Sequence, residues 1–525
     1  MSLIFSSDTF AANPFGPCAL MVKRMLLFVL TLAFGCAACA AAPYARTDQP
    51  FVDSNGRTRV VIDFLPGVER TYPDAVKRAP RTKQNDDGQK IEFFHRPQVE
   101  ALVADFEQRY EFQRTGMTSW VGSSVTAFLS SDQVERLLQD PLVRQISDDT
   151  HVEFSSFPYS DSTSGGETTS WGHQAVTGKT KTVSNSRKIY VIDSGVADND
   201  DLLSVSDRVN VACGVGGCHL SSPSTYPTVG CYAHSTHVAG IATASGGNSK
   251  GTKGVYAGVN VVSVAVLSRS GGSMCGDSAT ISSTAYGYAL DYAYMDTLYN
   301  NSSTLVNIAN ISANPVAMYY HDANWYKAQE LVTPNSVEVY VGCGVQPECT
   351  YEESHQDFPY AGVFIAQSAG NNDGDGTCSN NSPRHYMPAA SGAADPYDGI
   401  MVVGAIDQSG ATVDGYFSAT TPSGLTGLPQ GSNYGNCVDI WAPGDAIYAE
   451  WGAFSGDTLV GTTYSNIAAI SGTSMAAPHV AAAAAYYADL YSLGTPSAIE
   501  QTIRANLTTL GSDRSSTAVY MVQLN

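Results

Sequence analysis

Basic residues are scarce in most of this sequence. The chain of 525 residues carries 28 Lys and Arg against 49 Asp and Glu, and only 12 of the basic residues follow residue 155. About 30 acidic residues lie in the same part, so its surface is strongly anionic and would repel phosphate backbones and anionic lipids. Binding to nucleic acid is therefore not expected.

Near the N-terminus the sequence lacks an apolar run of membrane-spanning length. The run from Met25 to Phe34 is too short to span a bilayer. It follows the basic pair Lys23-Arg24 and precedes small residues through Ala42, which is the pattern of a signal peptide. We predict that residues 1–42 are an N-terminal extension with a signal peptide, and that the product is secreted, extracellular and without a stable membrane span.

Charged residues make up only 15% of the chain and apolar residues 43%, a balance that excludes a disordered chain and a multi-span membrane protein. At 525 residues the chain exceeds what one hydrophobic core usually serves, so two or more folded units are expected. Eight of the 11 cysteines lie between Cys213 and Cys437. This even number favours disulfides and an oxidising compartment.

Residues 43–155 have the pattern of a small α+β domain. One predicted helix carries apolar residues at helical spacing from Val99 to Phe106, and a second is capped by Ser130 or Ser131. Strands are predicted at Arg59–Phe64, near Trp120–Leu129 and at Leu142–Ile146. This order suits an open-faced sandwich of the split βαβ type.

Residues 156–525 alternate apolar strands with helices, which predicts an α/β fold with a parallel sheet covered by helices on both faces. A connecting helix is expected from Ile281 to Tyr299. The stretch from Ala313 to Tyr360 has no clear period and is interpreted as a loop-rich insertion. Five strands are predicted, at Lys188–Asp193, Val261–Leu267, Leu305–Ile311, Gly362–Gln367 and Ile400–Ala405.

Three segments place a reactive side chain at the edge of an apolar element. Asp193 ends a buried strand, where catalytic groups concentrate in open α/β sheets, although a strand-ending Asp before Gly is often only a turn residue. His234 and His237 open a helix of small residues; a zinc pair would more often have four-residue spacing with an intervening Glu, which is absent here. Ser474 begins an Ala-rich helix, where a serine can cap the helix or act as a nucleophile favoured by the helix N-terminus.

Taken together, these segments resemble the subtilisin-like serine proteases, whose Asp, His and Ser motifs occur in this chain order. Asp193 matches the strand-ending acid of that family. The run from His234 to His237 resembles its His-Gly-Thr-His motif, and the run from Gly472 to Pro478 resembles its Gly-Thr-Ser-Met-Ala-x-Pro motif. The resemblance extends from about Trp171 to about Leu490, and the cysteine pattern is closest to the aqualysin and proteinase K-like branch.

The resemblance implies a serine endopeptidase with Asp193, His234 and Ser474 as its triad and with no cofactor in the chemistry. Asn371 matches the family's oxyanion donor, and Ala369 and Gly370 precede it in the same Ala-Gly-Asn motif. These two residues and Ser312 are predicted to bind substrate, which would be protein or peptide. Two positions depart from the family: Ser235 replaces the glycine of the His motif, and Ser312-Ala-Asn replaces Ser-Leu-Gly, so peptide preference cannot be transferred.

Two other functions compete with this one. A catalytically inactive homologue that acts as a binding module is the alternative, but all three triad residues and Asn371 are retained. An esterase of the α/β-hydrolase type is disfavoured because Ser474 lacks the second glycine of Gly-x-Ser-x-Gly and because the chain order differs.

The resemblance also suggests stabilising features. The aqualysin-like branch implies a disulfide between Cys378 and Cys437 and one that uses Cys231, for which Cys275 is the expected partner. Local pairs are expected at Cys213 with Cys218 and at Cys343 with Cys349. Structural calcium is common in the family, and Asp201 matches an acidic position of one such site; a solvated loop is the other interpretation of this acidic stretch. The metal ligands stay unknown.

Finally, residues 43–155 resemble the family's propeptide domain, above all in the helix from Leu129 to Leu138 and the strand that ends at Asp148. This segment is expected to inhibit its own enzyme and to be removed by a cut between about Glu153 and Ser170. A permanent substrate-binding domain is the alternative. Residues 156–525 would then be the peptidase domain.

Overall fold

The structure is a computed structural model. It describes residues 42–46, 50–72, 82–85, 88–149, 151–154, 160–163, 166–214, 217–221, 232–268, 281–300, 305–315, 327, 330–341, 354–372, 397–413, 431–435, 438–451, 453–455, 458–461 and 466–525.

The N-terminal elements come in the following chain order: β1 Tyr44–Ala45, β2 Thr58–Phe64, a 3₁₀ turn Val68–Thr71, β3 Thr82–Asn85, β4 Gly88–Ile91, α1 Pro97–Tyr110, β5 Arg114–Thr118, β6 Ser124–Leu129, α2 Ser131–Leu137, β7 Val143–Asp148, β8 His151–Phe154 and β9 Ser160–Thr163.

The remaining elements continue in chain order: α3 Trp171–Ala175, β10 Lys179–Thr180, β11 Lys188–Asp193, β12 Val205–Gly214, β13 Gly217–Ser221, α4 Tyr232–Thr243, β14 Tyr256–Ala257, β15 Asn260–Ser268, β16 Ile281–Ser282, α5 Ser283–Asn300, β17 Asn307–Ile311, β18 Ala313–Pro315, β19 Asn335–Val341, β20 Ser354–Tyr360, β21 Val363–Ser368, β22 Asn371–Asn372, β23 Ile400–Ile406, β24 Gly431–Ser432, β25 Ile440–Pro443, β26 Ile447–Glu450, β27 Ala453–Ser455, β28 Thr458–Gly461, β29 Asn466–Ile470, α6 Thr473–Leu490, α7 Pro496–Arg504, β30 Leu507–Ser512 and β31 Ala518–Val522.

A ten-stranded sheet organises the larger part of the chain, in the order β13-β12-β15-β11-β17-β21-β23-β25-β31-β30. The eight strands from β12 to β31 pair in parallel, and the two outer strands, β13 and β30, pair antiparallel. The side chains of β11 are buried along its whole length, as expected of a strand covered on both faces.

Helices cover both faces of this sheet. On one face the apolar side chains of α4 and α6, such as Val238, Ala242 and Val480, share a core with Val191 of β11. On the other face α5 buries aromatic and aliphatic side chains against the sheet, among them Leu290. The predicted α/β fold with helices on both faces is confirmed.

Residues 42–149 form a smaller α+β unit with its own core. Five strands pair in the order β1-β7-β2-β6-β5, and α1 packs on them through Val99, Leu102, Val103 and Phe106. Ser130 is the N-cap of α2: its hydroxyl accepts from the Gln133 N–H, and the Gln133 side chain accepts from the Ser130 N–H.

Some strands differ from the prediction. The strand expected near Trp120–Leu129 is only Ser124–Leu129, and β5 precedes it as an unpredicted partner. The stretch Ala313–Tyr360 is not only loop, because it contains β18 and the antiparallel pair β19 and β20. These strands are short and their partners are distant in the chain, so the sequence pattern alone did not distinguish them from loop.

A buried ion pair ties the start of β11 to the end of α6. Arg187 Nε lies 2.6 Å from Asp489 Oδ1, and each side chain is 1% exposed. Tyr256 OH donates to the other carboxylate oxygen at 2.9 Å. Since β11 carries Asp193 and α6 carries Ser474, this pair fixes the two elements relative to each other.

The disulfide expected between Cys213 and Cys218 is confirmed, with an S–S distance of 2.06 Å. The other predicted pairs, which involve Cys231, Cys275, Cys343, Cys349, Cys378 and Cys437, lie outside the described residues. Among the helices of the described part, none combines the length and the apolar character needed to cross a membrane.

Candidate active site

Asp193 and His234 meet at the carboxyl end of β11. Asp193 is the last residue of that strand and is fully buried, and His234 lies in the first turn of α4. His234 Nδ1 is 2.9 Å from Asp193 Oδ1, and the Ser194 N–H donates to the same oxygen at 2.6 Å. The carboxylate therefore orients the imidazole through Nδ1, so Nε2 is the atom that can exchange a proton with a substrate or nucleophile.

Ser235, which stands where the resembling motif has glycine, is completely buried beside this pair. Its N–H donates to Ser194 Oγ at 3.4 Å. Its own hydroxyl oxygen makes no hydrogen bond to any residue that the structure describes. The chain thus accommodates the extra hydroxyl beside His234, and the Asp193–His234 contact is present at 2.9 Å.

Ser474 is the second residue of α6, which runs for 18 residues. Gly472 caps the helix with φ 156° and ψ 161°, a conformation that residues with a Cβ rarely adopt. The N-terminus of a helix carries partial positive charge, which stabilises negative charge that develops next to it. Ser474 is therefore placed where an attacking oxygen and the resulting oxyanion are both favoured.

Ser312 and Ser474 are joined by two reciprocal hydrogen bonds. Ser474 Oγ donates to the Ser312 carbonyl oxygen at 3.0 Å, and Ser312 Oγ donates to the Ser474 carbonyl oxygen at 3.0 Å. The structure thus brings Asp193 and His234 together. It shows the Ser474 hydroxyl hydrogen-bonded to the backbone carbonyl of Ser312.

The second of these bonds has a cause in the sequence. Residue 478, four positions after Ser474, is a proline inside α6, so it has no N–H to donate to the Ser474 carbonyl. Ser312 Oγ supplies the missing donor, and Asn310 Nδ2 donates to that Oγ at 3.0 Å. Sequence reasoning assigned Ser312 to substrate binding and missed this role, although Pro478 indicates that the Ser474 carbonyl needs another donor.

Asn371 binds the first residue of α6, next to Ser474 in the chain. Its Oδ1 accepts from the Thr473 N–H and from Thr473 Oγ1, each at 2.9 Å. Because a backbone N–H can only donate, the side-chain atom that faces Thr473 must be the amide oxygen. The amide nitrogen, Nδ2, therefore points away from Thr473. Nδ2 is buried and has no hydrogen-bond partner among the described residues. It is therefore free to bind an oxyanion.

Ala369 and Gly370 lead into β22, the strand that begins at Asn371, and hydrogen bonds fix both residues. Gly370 has φ 91°, which favours glycine, and its N–H donates to Thr473 Oγ1 at 3.1 Å. Asn433 donates from Nδ2 to the Ala369 carbonyl and from its N–H to the Gly370 carbonyl, each at 2.8 Å. Asn433 was not among the predicted site residues.

His237 serves a different purpose from His234. It is fully buried, and its Nε2 lies 3.0 Å from the carbonyl oxygens of Ile447 and Ala468. Burial lowers the pKa of His237 to about 3, so the ring is neutral. It joins α4 to β26 and β29.

Asp201, the expected calcium ligand, faces a second buried acid. Its carboxyl group is hydrogen-bonded to the carboxyl group of Glu450. Burial raises the pKa of both groups, and the neighbouring Asp201 raises the pKa of Glu450 further. Thr252 donates to Glu450 Oε1 from its N–H at 2.6 Å and from Oγ1 at 2.8 Å. Among the described residues no group of three His, Cys, Asp or Glu side chains could hold a metal ion. A proton shared between the carboxyl groups of Asp201 and Glu450 fits these residues better than a calcium ion does. Calcium binding at Asp201 stays a prediction.

Several known proteins are similar to this chain in sequence. The chain is 30% identical over 328 residues to the alkaline extracellular protease of Yarrowia lipolytica, a match that covers 62% of this chain and 52% of that protein. It is 26% identical over 394 residues to the thermostable alkaline protease of Halalkalibacterium halodurans, covering 74% and 78%. It is 24% identical over 512 residues to alkaline serine exoprotease A of Vibrio alginolyticus, covering 93% and 74%. The chain thus spans about half the length of the Yarrowia protein.

A solved structure and a family profile complete the comparison. The crystal structure of fervidolysin from Fervidobacterium pennivorans, a keratinolytic enzyme related to subtilisin, superposes with a TM-score of 0.53 at 15% identity, covering 92% of this chain and 62% of fervidolysin. At that identity the likeness concerns the fold alone. The profile of the subtilase family, Peptidase_S8, matches residues 184–519, beyond the C-terminal limit near Leu490 that the motifs suggested. The chain therefore belongs to the subtilase family, a family of serine peptidases.

Proposed function

We propose that this chain is a secreted, self-processing serine endopeptidase that hydrolyses peptide bonds of protein or peptide substrates through an acyl-enzyme. The observation that carries the proposal is the 2.9 Å contact between Asp193 and His234 at the carboxyl end of β11. Ser474, at the N-terminus of a helix, completes the set of residues that the mechanism needs. The free amide nitrogen of Asn371 adds a donor for the oxyanion.

In this mechanism Ser474 Oγ leaves its hydrogen bond to Ser312 and attacks the substrate carbonyl carbon while His234 takes its proton. Asp193 stabilises the imidazolium that forms. Asn371 Nδ2 and the Ser474 N–H hold the oxyanion. The amine leaves with the proton from His234, and a water molecule activated by His234 then hydrolyses the acyl-enzyme.

The proposal includes residues 43–155 as an inhibitory propeptide. Strand β8, at the end of this segment, lies between β16 and β18 as the middle strand of a three-stranded sheet. Strand β18 begins directly after Ser312, whose carbonyl accepts from the Ser474 hydroxyl. This pairing supports the proposal, because it brings the tail of the segment onto the strand that follows Ser312, and an inhibitor of Ser474 would bind beside that residue.

A buried carboxylate supports the docking of the same segment. Asp291 of α5 accepts hydrogen bonds from the N–H groups of Ser119, Trp120 and Val121, at 2.5 to 3.0 Å. Burial raises the pKa of Asp291 to about 6. Nearby, the Tyr288 hydroxyl accepts from the Met117 N–H at 3.0 Å. These contacts join β5 and the loop that follows it to α5.

Secretion is part of the proposal because the sequence carries a signal-peptide pattern in residues 1–42 and because a relative is named as extracellular. The catalytic chemistry itself needs no metal or organic cofactor, since every step uses a side chain or backbone group of this chain.

The test is the Ser474→Ala variant, with the exposed Ser512→Ala on β30 as a matched control. Turnover of casein should fall by about 10⁶, the loss found for the subtilisin triad, whereas the control keeps wild-type turnover and is blocked by a serine-directed inhibitor. The Ser474→Ala chain should also keep residues 43–155 attached. Casein turnover near the wild-type value in that variant would rule out the assignment.

A further inference from the structure

The loop that follows Asp193 is buried between the large sheet and α4. Ser194, Val196 and Ala197 are each 1% exposed, and Val196 belongs to the core that α4 and α6 share with the sheet. A buried loop lacks the regular partners that a helix or strand gives its N–H and C=O groups, so other groups must bind them. These partners decide how firmly Asp193 is held.

Side chains from the sheet and from α4 bind two successive N–H groups of this loop. The Val196 N–H donates to Ser263 Oγ at 2.8 Å, and the Ala197 N–H donates to Thr236 Oγ1 at 3.0 Å. Ser263 lies on β15, the strand next to β11, and is 2% exposed. Thr236 lies on α4, two residues after His234. The loop is thus fixed to the sheet on one side and to the helix of His234 on the other.

One guanidinium group binds the carbonyl groups of the same two loop residues. Arg208 Nε donates to the Val196 carbonyl oxygen at 3.2 Å, and Arg208 Nη2 donates to the Ala197 carbonyl oxygen at 3.5 Å. Nη2 also lies 3.0 Å from Asp198 Oδ1, in an ion pair whose acidic side chain is 47% exposed. The planar fork of an arginine suits two consecutive acceptors, which a lysine ammonium cannot bind in the same fixed geometry.

The strand register explains why these side chains reach the loop. Ser263 pairs with Val191 of β11 on one side and with Arg208 of β12 on the other. Residues directly opposite each other in a sheet point to the same face, and so do residues two apart along one strand. Ser263, Arg208 and Asp193 therefore point to the face that α4 covers, and the loop folds back over that face.

We propose that Ser263 and Arg208 are positioning residues for the carboxylate that orients His234. Only two residues separate Asp193 from Val196, so a displacement of the loop is passed directly to the carboxylate. Neither residue belongs to the triad, and each acts through the backbone that carries Asp193. This inference rests on the proposed function.

Ser263→Ala tests the contact to the N–H group. The substitution leaves the buried Val196 N–H without its acceptor, so the loop and the Asp193 carboxylate should shift. We expect kcat for a peptide p-nitroanilide, measured with titrated active sites, to fall by about tenfold with KM within about twofold, because a small misplacement of a catalytic group is costly. Ser263→Thr keeps a hydroxyl and should restore most of the lost kcat.

The pH profile of kcat/KM separates positioning from a merely structural role. His234 must be neutral to accept the proton of Ser474, and Asp193 favours the protonated ring. A misplaced carboxylate favours that ring less, so the acid limb of the profile should move to lower pH, by about half a pH unit, in Ser263→Ala. An unmoved acid limb, with or without a loss of kcat, would overturn the inference for Ser263.

Ser206→Ala is the matched control for the loss of a hydroxyl. Ser206 lies on β12, and its Oγ donates to the Val261 carbonyl of β15 at 3.2 Å, so the variant loses a hydrogen bond to the same strand. Its kcat and its acid limb should equal those of the wild type. If Ser206→Ala reproduced the changes of Ser263→Ala, the effect would be a general one of weakened strand contacts, and the inference would fail.

Arg208→Lys tests the contacts to the carbonyl groups while it keeps the positive charge. A lysine can still pair with Asp198 but cannot hold the Val196 and Ala197 carbonyls together. We expect kcat to fall by about threefold or more, with the acid limb moved in the same direction as in Ser263→Ala. A lysine variant identical to the wild type would show that only the exposed ion pair uses Arg208, and would remove this residue from the proposal.

Ser474→Ala distinguishes the failure of this inference from the failure of the proposed function. If Ser474→Ala abolishes turnover while Ser263→Ala and Arg208→Lys behave as the wild type, the positioning role is refuted and the proposed function stands. If Ser474→Ala keeps turnover, the proposed function is refuted and the positioning role with it.

Discussion

Replacing Ser312 by alanine would test how the nucleophile is held. The substitution removes the hydroxyl that donates to the Ser474 carbonyl at 3.0 Å and accepts from Asn310 at the same distance. Pro478 cannot replace the donor. A buried carbonyl left without a partner costs about 1–3 kcal/mol, and a shift of the first turn of α6 moves Oγ away from its attack position.

We therefore expect kcat to fall by about 10- to 100-fold, since 1.36 kcal/mol corresponds to a factor of ten. KM should change little, because the hydroxyl contacts the nucleophile's backbone and not the substrate. The measurement is steady-state hydrolysis of a peptide p-nitroanilide with titrated active sites. Ser312→Thr keeps a hydroxyl and is the conservative control.

A second substitution makes this prediction sharper. Pro478→Ala gives α6 an N–H at the position that faces the Ser474 carbonyl in a regular helix. In the double variant Ser312→Ala, Pro478→Ala this N–H should restore at least part of the lost kcat. A single variant within twofold of the wild type, or a double variant no better than the single one, would refute the reasoning.

Three further predictions concern other parts of the structure. Asn371→Ala should lower kcat by about 10² to 10³ with KM nearly unchanged in steady-state kinetics, and a loss confined to KM would contradict its role as an oxyanion donor. Asp291→Ala removes the acceptor for three backbone N–H groups and should release active enzyme sooner after processing; an unchanged lag in a casein assay would argue against docking through this acid. Asp489→Ala leaves Arg187 buried without its carboxylate and should lower the free energy of unfolding by about 3–5 kcal/mol in urea titrations made on the Ser474→Ala chain, where a loss below 1 kcal/mol would refute it.

The sequence allowed the central strands, and the places of Asp193 and Ser474 on their elements, to be predicted. Asp193 ends a run of apolar residues that is buried on both faces, and Ser474 begins a helix rich in alanine, so local patterns were sufficient in both cases. The same holds for α2, where the Ser130 cap and Gln133 form a capping box.

Other features depend on residues that are distant in the chain, and local patterns did not reveal them. The bond between Ser312 and Ser474 joins positions 162 residues apart, and its only local signal was Pro478. Strand β12 lies beside β15 and was not predicted, because its apolar contacts come from that pairing and from α5. The carboxyl groups of Asp201 and Glu450 likewise meet only in the folded chain, where β26 lies next to the loop before β14.

The turn that Asp291 binds offers the carboxylate three main-chain N–H groups, from Ser119, Trp120 and Val121, and one longer side-chain contact, from the Ser119 hydroxyl at 3.4 Å. Recognition of this kind depends mainly on the backbone shape of the turn and little on which side chains the turn carries. If residues 43–155 are the propeptide proposed above, this segment can diverge in sequence at the turn without losing its contact, whereas position 291 must stay acidic. Substitutions in this interface should then accumulate unequally, with more in the turn than in α5.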